Sequence, residues 1–79
     1  MKALIKITLK SGVLDPQGKA IESALDGLGF SGVEDVRQGK LIEVTLSETD
    51  AAEARQKVER MCEELLANTV IENYSYEFV

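Results

Sequence analysis

Ala3-Leu4-Ile5-Lys6-Ile7-Thr8-Leu9-Lys10-Ser11-Gly12-Val13-Leu14-Asp15-Pro16-Gln17-Gly18-Lys19-Ala20-Ile21 opens as one kind of structure and closes as another. Ala3, Ile5, Ile7 and Leu9 alternate with Leu4, Lys6, Thr8 and Lys10, the period of a strand with one buried face and one partly basic face. Ser11-Gly12 breaks that strand. Asp15-Pro16 then starts a helix. The Asp15 carboxylate caps N–H groups that have no partner in the first turn, and Pro16 suits the first helical position because its missing N–H is not needed there. Ile21, Ala24, Leu25 and Leu28 follow at helical spacing. Gly29 reads as a left-handed cap, with Phe30 folding back onto Leu25, so the helix spans about Pro16 to Leu28.

Beyond this unit the period changes three more times. Val33 to Gln38 and Leu41 to Leu46 read as the arms of a β-hairpin turning at Gln38-Gly39-Lys40, with Gly39 supplying a positive φ. The first arm is expected to be short or bulged, because Val33 and Val36 do not share a face. In the second arm Ile42, Val44 and Leu46 lie on one face, and Leu41, Glu43 and Thr45 on the other. Ser47-Glu48-Thr49-Asp50 offers capping residues for a long helix ending near Ala67, with Asp50 and Glu53 spaced as a capping box. Ala54, Val58, Met61 and Leu65 form its apolar stripe, widened by Ala51, Cys62 and Leu66. Glu53/Lys57, Arg55/Glu59 and Arg60/Glu64 are opposite charges four apart on its solvated face, each worth only ~0.3 kcal/mol. Asn68 is expected to end the helix in a left-handed turn. Val70 to Val79 is the last strand, with Tyr74, Tyr76 and Phe78 on one face. The order β-α-β-β-α-β predicts an α+β, two-layer domain over residues 1–79, with an antiparallel sheet and both helices on one face, close to the ferredoxin-like plan.

Composition narrows the function classes. The 79 residues are 44% hydrophobic and 29% charged, enough apolar side chain to fold and too short for a second domain. No apolar run approaches the ~20 residues of a membrane helix, and Lys6 and Lys10 interrupt anything like a signal peptide's apolar stretch. Nine Lys and Arg against fourteen Asp and Glu give a net charge of −5. Such a chain is a poor fit to nucleic acid or to anionic membranes. One cysteine and no histidine exclude a disulfide framework, a zinc finger and any mechanism that needs imidazole, and fit a reducing, cytoplasmic setting.

Most catalytic constellations therefore fail for want of parts. Cys62 lies mid-helix with no histidine to activate it, and reads as a buried structural thiol. No aspartate cluster has the spacing of a metal loop. Two segments stand out. Lys10 to Lys19 is a glycine-flanked turn opening a helix. It reads either as strand, turn and cap or as an anion site at a helix N-terminus, although Asp15 would repel an anion and the P-loop and dinucleotide glycine patterns are absent. Gly18 inside a helix costs ~1 kcal/mol against alanine, which close approach by another backbone would explain. Val36-Arg37-Gln38-Gly39-Lys40 concentrates positive charge in an acidic chain, either as a solvated tip or as a contact for an acidic partner or a phosphate.

Together these segments resemble the PurS family. Lys10 to Gly18, Ala20-Ile21, Leu25 to Gly29, Val36 to Lys40 and Asn68 to Tyr74 carry the resemblance, which covers essentially the whole chain. Thr69 departs from it, where proline is expected before the last strand. The resemblance implies the small subunit of phosphoribosylformylglycinamidine synthase, in de novo purine biosynthesis. It implies a dimer or dimer of dimers that bridges an ATP-dependent synthetase subunit and a glutaminase subunit and assists ammonia transfer. ATP and magnesium would then belong to the synthetase subunit, with no cofactor and no catalytic residue in this chain. The expected partner contacts are Gly12, Val13, Leu14, Asp15, Pro16, Gln17 and Gly18 in the turn, Arg37, Gly39 and Lys40 in the hairpin, and Tyr76 on the last strand. The alternative reading is a small-molecule-binding regulatory module of the same βαββαβ plan.

Overall fold

The computed structural model describes residues Met1–Val79. Strand β1 (Lys2–Leu9) is central. Strand β2 (Gly39–Thr45) and strand β3 (Glu72–Phe78) flank it, both antiparallel, with Ile5 opposite Ile42 on one side and Tyr76 on the other. The helices are α1 (Pro16–Gly27) and α2 (Ala51–Met61), and α2 continues into a π-helical turn over Cys62–Leu66. The α+β class and the antiparallel sheet are as the sequence predicts.

Alternation builds the core. Ala3, Ile5 and Ile7 point to the inner face of β1 and meet Ala54 and Val58 of α2 and Cys62 of the π-helical turn, all essentially inaccessible to solvent. Ile42, Val44, Tyr74, Tyr76 and Phe78 extend this layer but stay half-buried. Lys2, Lys6 and Thr8 face outward with Leu41, Glu43, Thr45, Ser75 and Glu77.

Helix α1 starts and stops on the residues expected. Pro16 is its first residue, and Oδ1 of Asp15 accepts the Gly18 N–H at 2.9 Å. Gly29 has φ +90°, its N–H donates to the Asp26 carbonyl, and the Phe30 N–H donates to the Leu25 carbonyl. That pair of bonds is a Schellman cap. Yet α1 does not lie on the sheet, and Gly18 is its one buried residue. The helix projects from the sheet end, giving the molecule extents of 49 × 25 × 15 Å.

Several expectations are corrected. Residues 33–38 form no strand, so there is no hairpin at 38–40. Gly39 instead begins β2 opposite Thr8, without a positive φ. A side chain there would strike the Ile7 carbonyl, since a Cβ would lie 2.6 Å from it. Leu65 is 82% exposed rather than in the stripe, because the π-helical turn takes in one extra residue and brings Leu66 and Ala67 to the core instead. Asn68 is not left-handed. Its side chain accepts the Val70 N–H at 3.2 Å, an Asx-type turn. Of the three charge pairs on α2 only Arg60–Glu64 forms, at 3.0 Å. Lys57 pairs with Glu48, and Glu59 accepts from Tyr76. The last strand is shorter than ten residues and lies wholly along β1.

Candidate partner interface

The turn after β1 and the segment before β2 are sewn together at one end of the sheet. Asp15 is the hub. Its carboxylate is buried, takes the Gly18 N–H on one oxygen, and takes the Gln38 N–H on the other at 2.7 Å. Those two amides, Gln38 first, hold the Asp15 carboxyl below the ordinary carboxylate range, with Arg37 adding in the same sense and burial opposing. Arg37 forks between the carbonyls of Lys10 and Val13, both at 3.2 Å. The side-chain amides of Gln17 and Gln38 also meet. The Val13 N–H closes the turn onto the Lys10 carbonyl at 3.1 Å, with Gly12 at φ +87°.

Gly18 finds its reason here. A Cβ at that position would lie 2.4 Å from the Val36 carbonyl and 2.7 Å from the Asp15 carboxylate. The approaching backbone that the sequence called for is residue 36. Sequence reasoning missed the parts played by the Gln38 amide and by the Lys10 and Val36 carbonyls. Main-chain groups leave no trace in residue identity beyond the glycine that makes way for them.

The predicted contact residues therefore divide. Gly12 to Gly18 and Arg37 to Lys40 come together in this latch. Asp15 and Gly18 are buried within it, whereas Leu14 is 73% exposed and Pro16 and Gln17 also face solvent. Lys40 reaches Glu72 at 3.7 Å. The Lys10 N–H donates to the Ile71 carbonyl at 2.8 Å, so the turn carrying Val70 is tied to the same end. Tyr76 is elsewhere, at mid-sheet on the inner face. Its hydroxyl donates to Glu59 at 2.6 Å, and its ring meets Phe78 edge-on at 5.7 Å. Burial, followed by the Glu59 contact, pushes its pKa up to about 12.

The latch is built for shape. With both Asp15 oxygens bonded to amides, it has no free base, and the Gly18 N–H that an anion would take is already occupied. Cys62 is inaccessible, and burial, followed by the charges of Glu63 and Glu59, raises its thiol pKa, which disfavours a nucleophilic thiolate. No group of three or more His, Cys, Asp and Glu side chains is placed to hold a metal ion, and no helix is long and apolar enough to cross a membrane.

A family model described as "PurS: Phosphoribosylformylglycinamidine (FGAM) synthase" matches residues 2–79. The PurS subunit of Synechocystis is 55% identical over 73 residues, 92% of this chain and 73% of that protein. The PurS subunit of Bacillus subtilis is 47% identical over 76 residues, covering 96% and 89%. Among solved structures, PurS of Methanocaldococcus jannaschii superposes with a TM-score of 0.85 at 42% identity, covering 96% of this chain and 92% of that one. A chain in the structure of PurLQS from Thermotoga maritima superposes at 0.89 and 34% identity, covering 99% and 95%. From its second residue to its last, in sequence and in fold, this chain belongs to the PurS family.

Proposed function

We propose that this chain is the small, non-catalytic subunit of phosphoribosylformylglycinamidine synthase in de novo purine biosynthesis. It bridges an ATP-dependent synthetase subunit and a glutaminase subunit and assists the passage of ammonia between them. The observation that carries this reading is the near-complete superposition on a chain of the PurLQS structure. The absence of histidine and the commitment of Asp15 to backbone amides support a structural role. ATP and magnesium are then held by the synthetase subunit. The chain acts as one domain over residues 1–79, in the cytoplasm.

Channelling has a physical motive. Ammonia in neutral water is mostly ammonium, which has no lone pair to attack with, and a water-excluded route keeps the neutral form. A rigid connector serves that route by fixing two sites in register. The latch is the proposed contact for the partner subunits. Gly12, Asp15, Gly18, Arg37 and Gly39 set its shape, while Val13, Leu14, Pro16, Gln17 and Lys40 present its surface. Tyr76 completes the proposed set from the inner sheet face.

Reconstitution with the synthetase and glutaminase subunits tests the reading. Glutamine-dependent amidine formation is expected to fall to background when this chain is left out, while turnover with added ammonium salt persists in the synthetase alone. Unchanged glutamine-dependent turnover without this chain overturns it.

A further inference from the structure

We propose that the sheet end beside the latch holds a binding site for a free α-amino acid with a carboxamide side chain. The site is made by this chain's own residues, so the proposal stands apart from the bridging role.

Strand register builds the floor and two of the walls. Lys40 on β2 lies opposite Ile7, and Glu72 on β3 lies opposite Leu9, so all four side chains project from one face of the sheet. Gln17, at the start of α1, and Gln38, just before β2, close the row. These six residues line a cavity of 230 Å³, with Ile7 and Leu9 as its apolar part. That volume lies below the ~300–1,000 Å³ of sites for drug-sized ligands and suits a smaller molecule.

The charged pair is set for a zwitterion. Lys40 Nζ and Glu72 Oε2 stand 3.7 Å apart, beyond the ~2.7–2.9 Å of a charge-assisted hydrogen bond. Glu72 is held in place, because its Oε1 accepts the Asn68 N–H at 2.7 Å and its side chain is only 15% exposed. Lys40 is 56% exposed and has donors to spare. An ion pair so open contributes little by itself, and parting it to admit a ligand costs little. An α-amino acid carries ammonium and carboxylate on one carbon. Its ammonium meets Glu72 and its carboxylate meets Lys40. Asp15 also borders the cavity, but both of its oxygens are spent on backbone amides and do not compete for the ammonium.

The two glutamines read the other end of the ligand. The Gln38 amide donates to the Gln17 carbonyl oxygen. A primary amide has an NH2 and a carbonyl, so the NH2 of Gln17 and the carbonyl oxygen of Gln38 remain unspent. A carboxamide answers both: its oxygen accepts from Gln17 and its NH2 donates to Gln38. A carboxylate only accepts and leaves the Gln38 oxygen unpaired, and a hydrocarbon side chain satisfies neither. Such an occupant touches α1, β2 and β3 at once and braces the latch.

Amide-detected NMR on the wild-type chain, titrated separately with L-asparagine, L-glutamine, L-alanine and L-glutamate, tests this. The expected result is saturable shifts with asparagine or glutamine, largest at the side-chain amides of Gln17 and Gln38 and the backbone of Lys40 and Glu72. Alanine and glutamate should bind at least about 10-fold more weakly. Lys40→Met and Glu72→Gln should each weaken binding by about 10-fold or more, while Ser75→Ala, on the outer face, leaves it unchanged. No saturable shift up to about 10 mM, shifts centred elsewhere, or equal binding of alanine or glutamate overturns the proposal. The titration uses wild-type protein, so it decides the matter even if a variant fails to fold.

Discussion

Helices α1 and α2 carry similar apolar stripes and meet opposite fates. In the body of the molecule, Ala54, Val58 and Cys62 are sealed against Ala3, Ile5 and Ile7. Along α1, Ile21, Leu25 and Leu28 have no strand beneath them. The difference lies in the connections. Helix α2 is reached by the loop after Leu46, which leaves its axis free to cross the sheet. Helix α1 is pinned at its first turn by Asp15 and Gly18, so its axis is set by the latch rather than by the core. Amphipathic period says that a face will be buried; the geometry at the helix entrance decides against what.

The widest separation between the sheet core and α1 should come from matched isoleucines. Ile5→Ala removes a fully buried side chain and is expected to cost about 2–5 kcal/mol in urea unfolding. Ile21→Ala should cost under about 1 kcal/mol, because that side chain is already 41% exposed. Equal costs would erase the distinction.

Two glycines of α1 sharpen it further. Alanine at Gly18 gains ~1 kcal/mol in helix propensity but meets a carbonyl oxygen at 2.4 Å that belongs to the latch backbone. The clash wins, with a net loss of about 1–3 kcal/mol. At Gly27 a Cβ meets nothing within 4 Å and the backbone is helical, so Gly27→Ala should stabilise by up to ~1 kcal/mol. Thermal melts of the two variants should move in opposite directions.

The smallest effect is a pH dependence confined to the latch. The folded pKa of Asp15 lies below its ordinary 3.8, so its contribution is fully present above that value and is lost as pH falls through the folded one. Asp15→Asn should melt lower than wild type at neutral pH, and the gap should close below pH 3.8. A gap that stays constant down to pH 2 would remove the carboxylate charge from the account.

Much of this architecture can be read along the chain. The alternation in β1, the Asp15-Pro16 start, the Gly29 stop and the inner face of β3 each rest on neighbours close in sequence. What escaped reading depends on distant contacts. Val33 to Gln38 has strand-like composition, but β1 takes β2 on one edge and β3 on the other, and Val36 and Gln38 are held at the start of α1 by Gly18 and Asp15. Leu65 holds the right position for a regular helix and loses it to the π-helical turn, after which Leu66 and Ala67 pack on the core. In the latch, the odd placement of Gly18 in a helix was visible; the carbonyl it accommodates was not.

That widened turn also bears on how this region tolerates change. A π-helical turn is a regular helix holding one residue in surplus. Removing a single residue between Cys62 and Leu66 restores the ordinary winding while keeping Leu66 on the packed side. The end of α2 is therefore where loss of one residue is expected to leave the strand that follows in place.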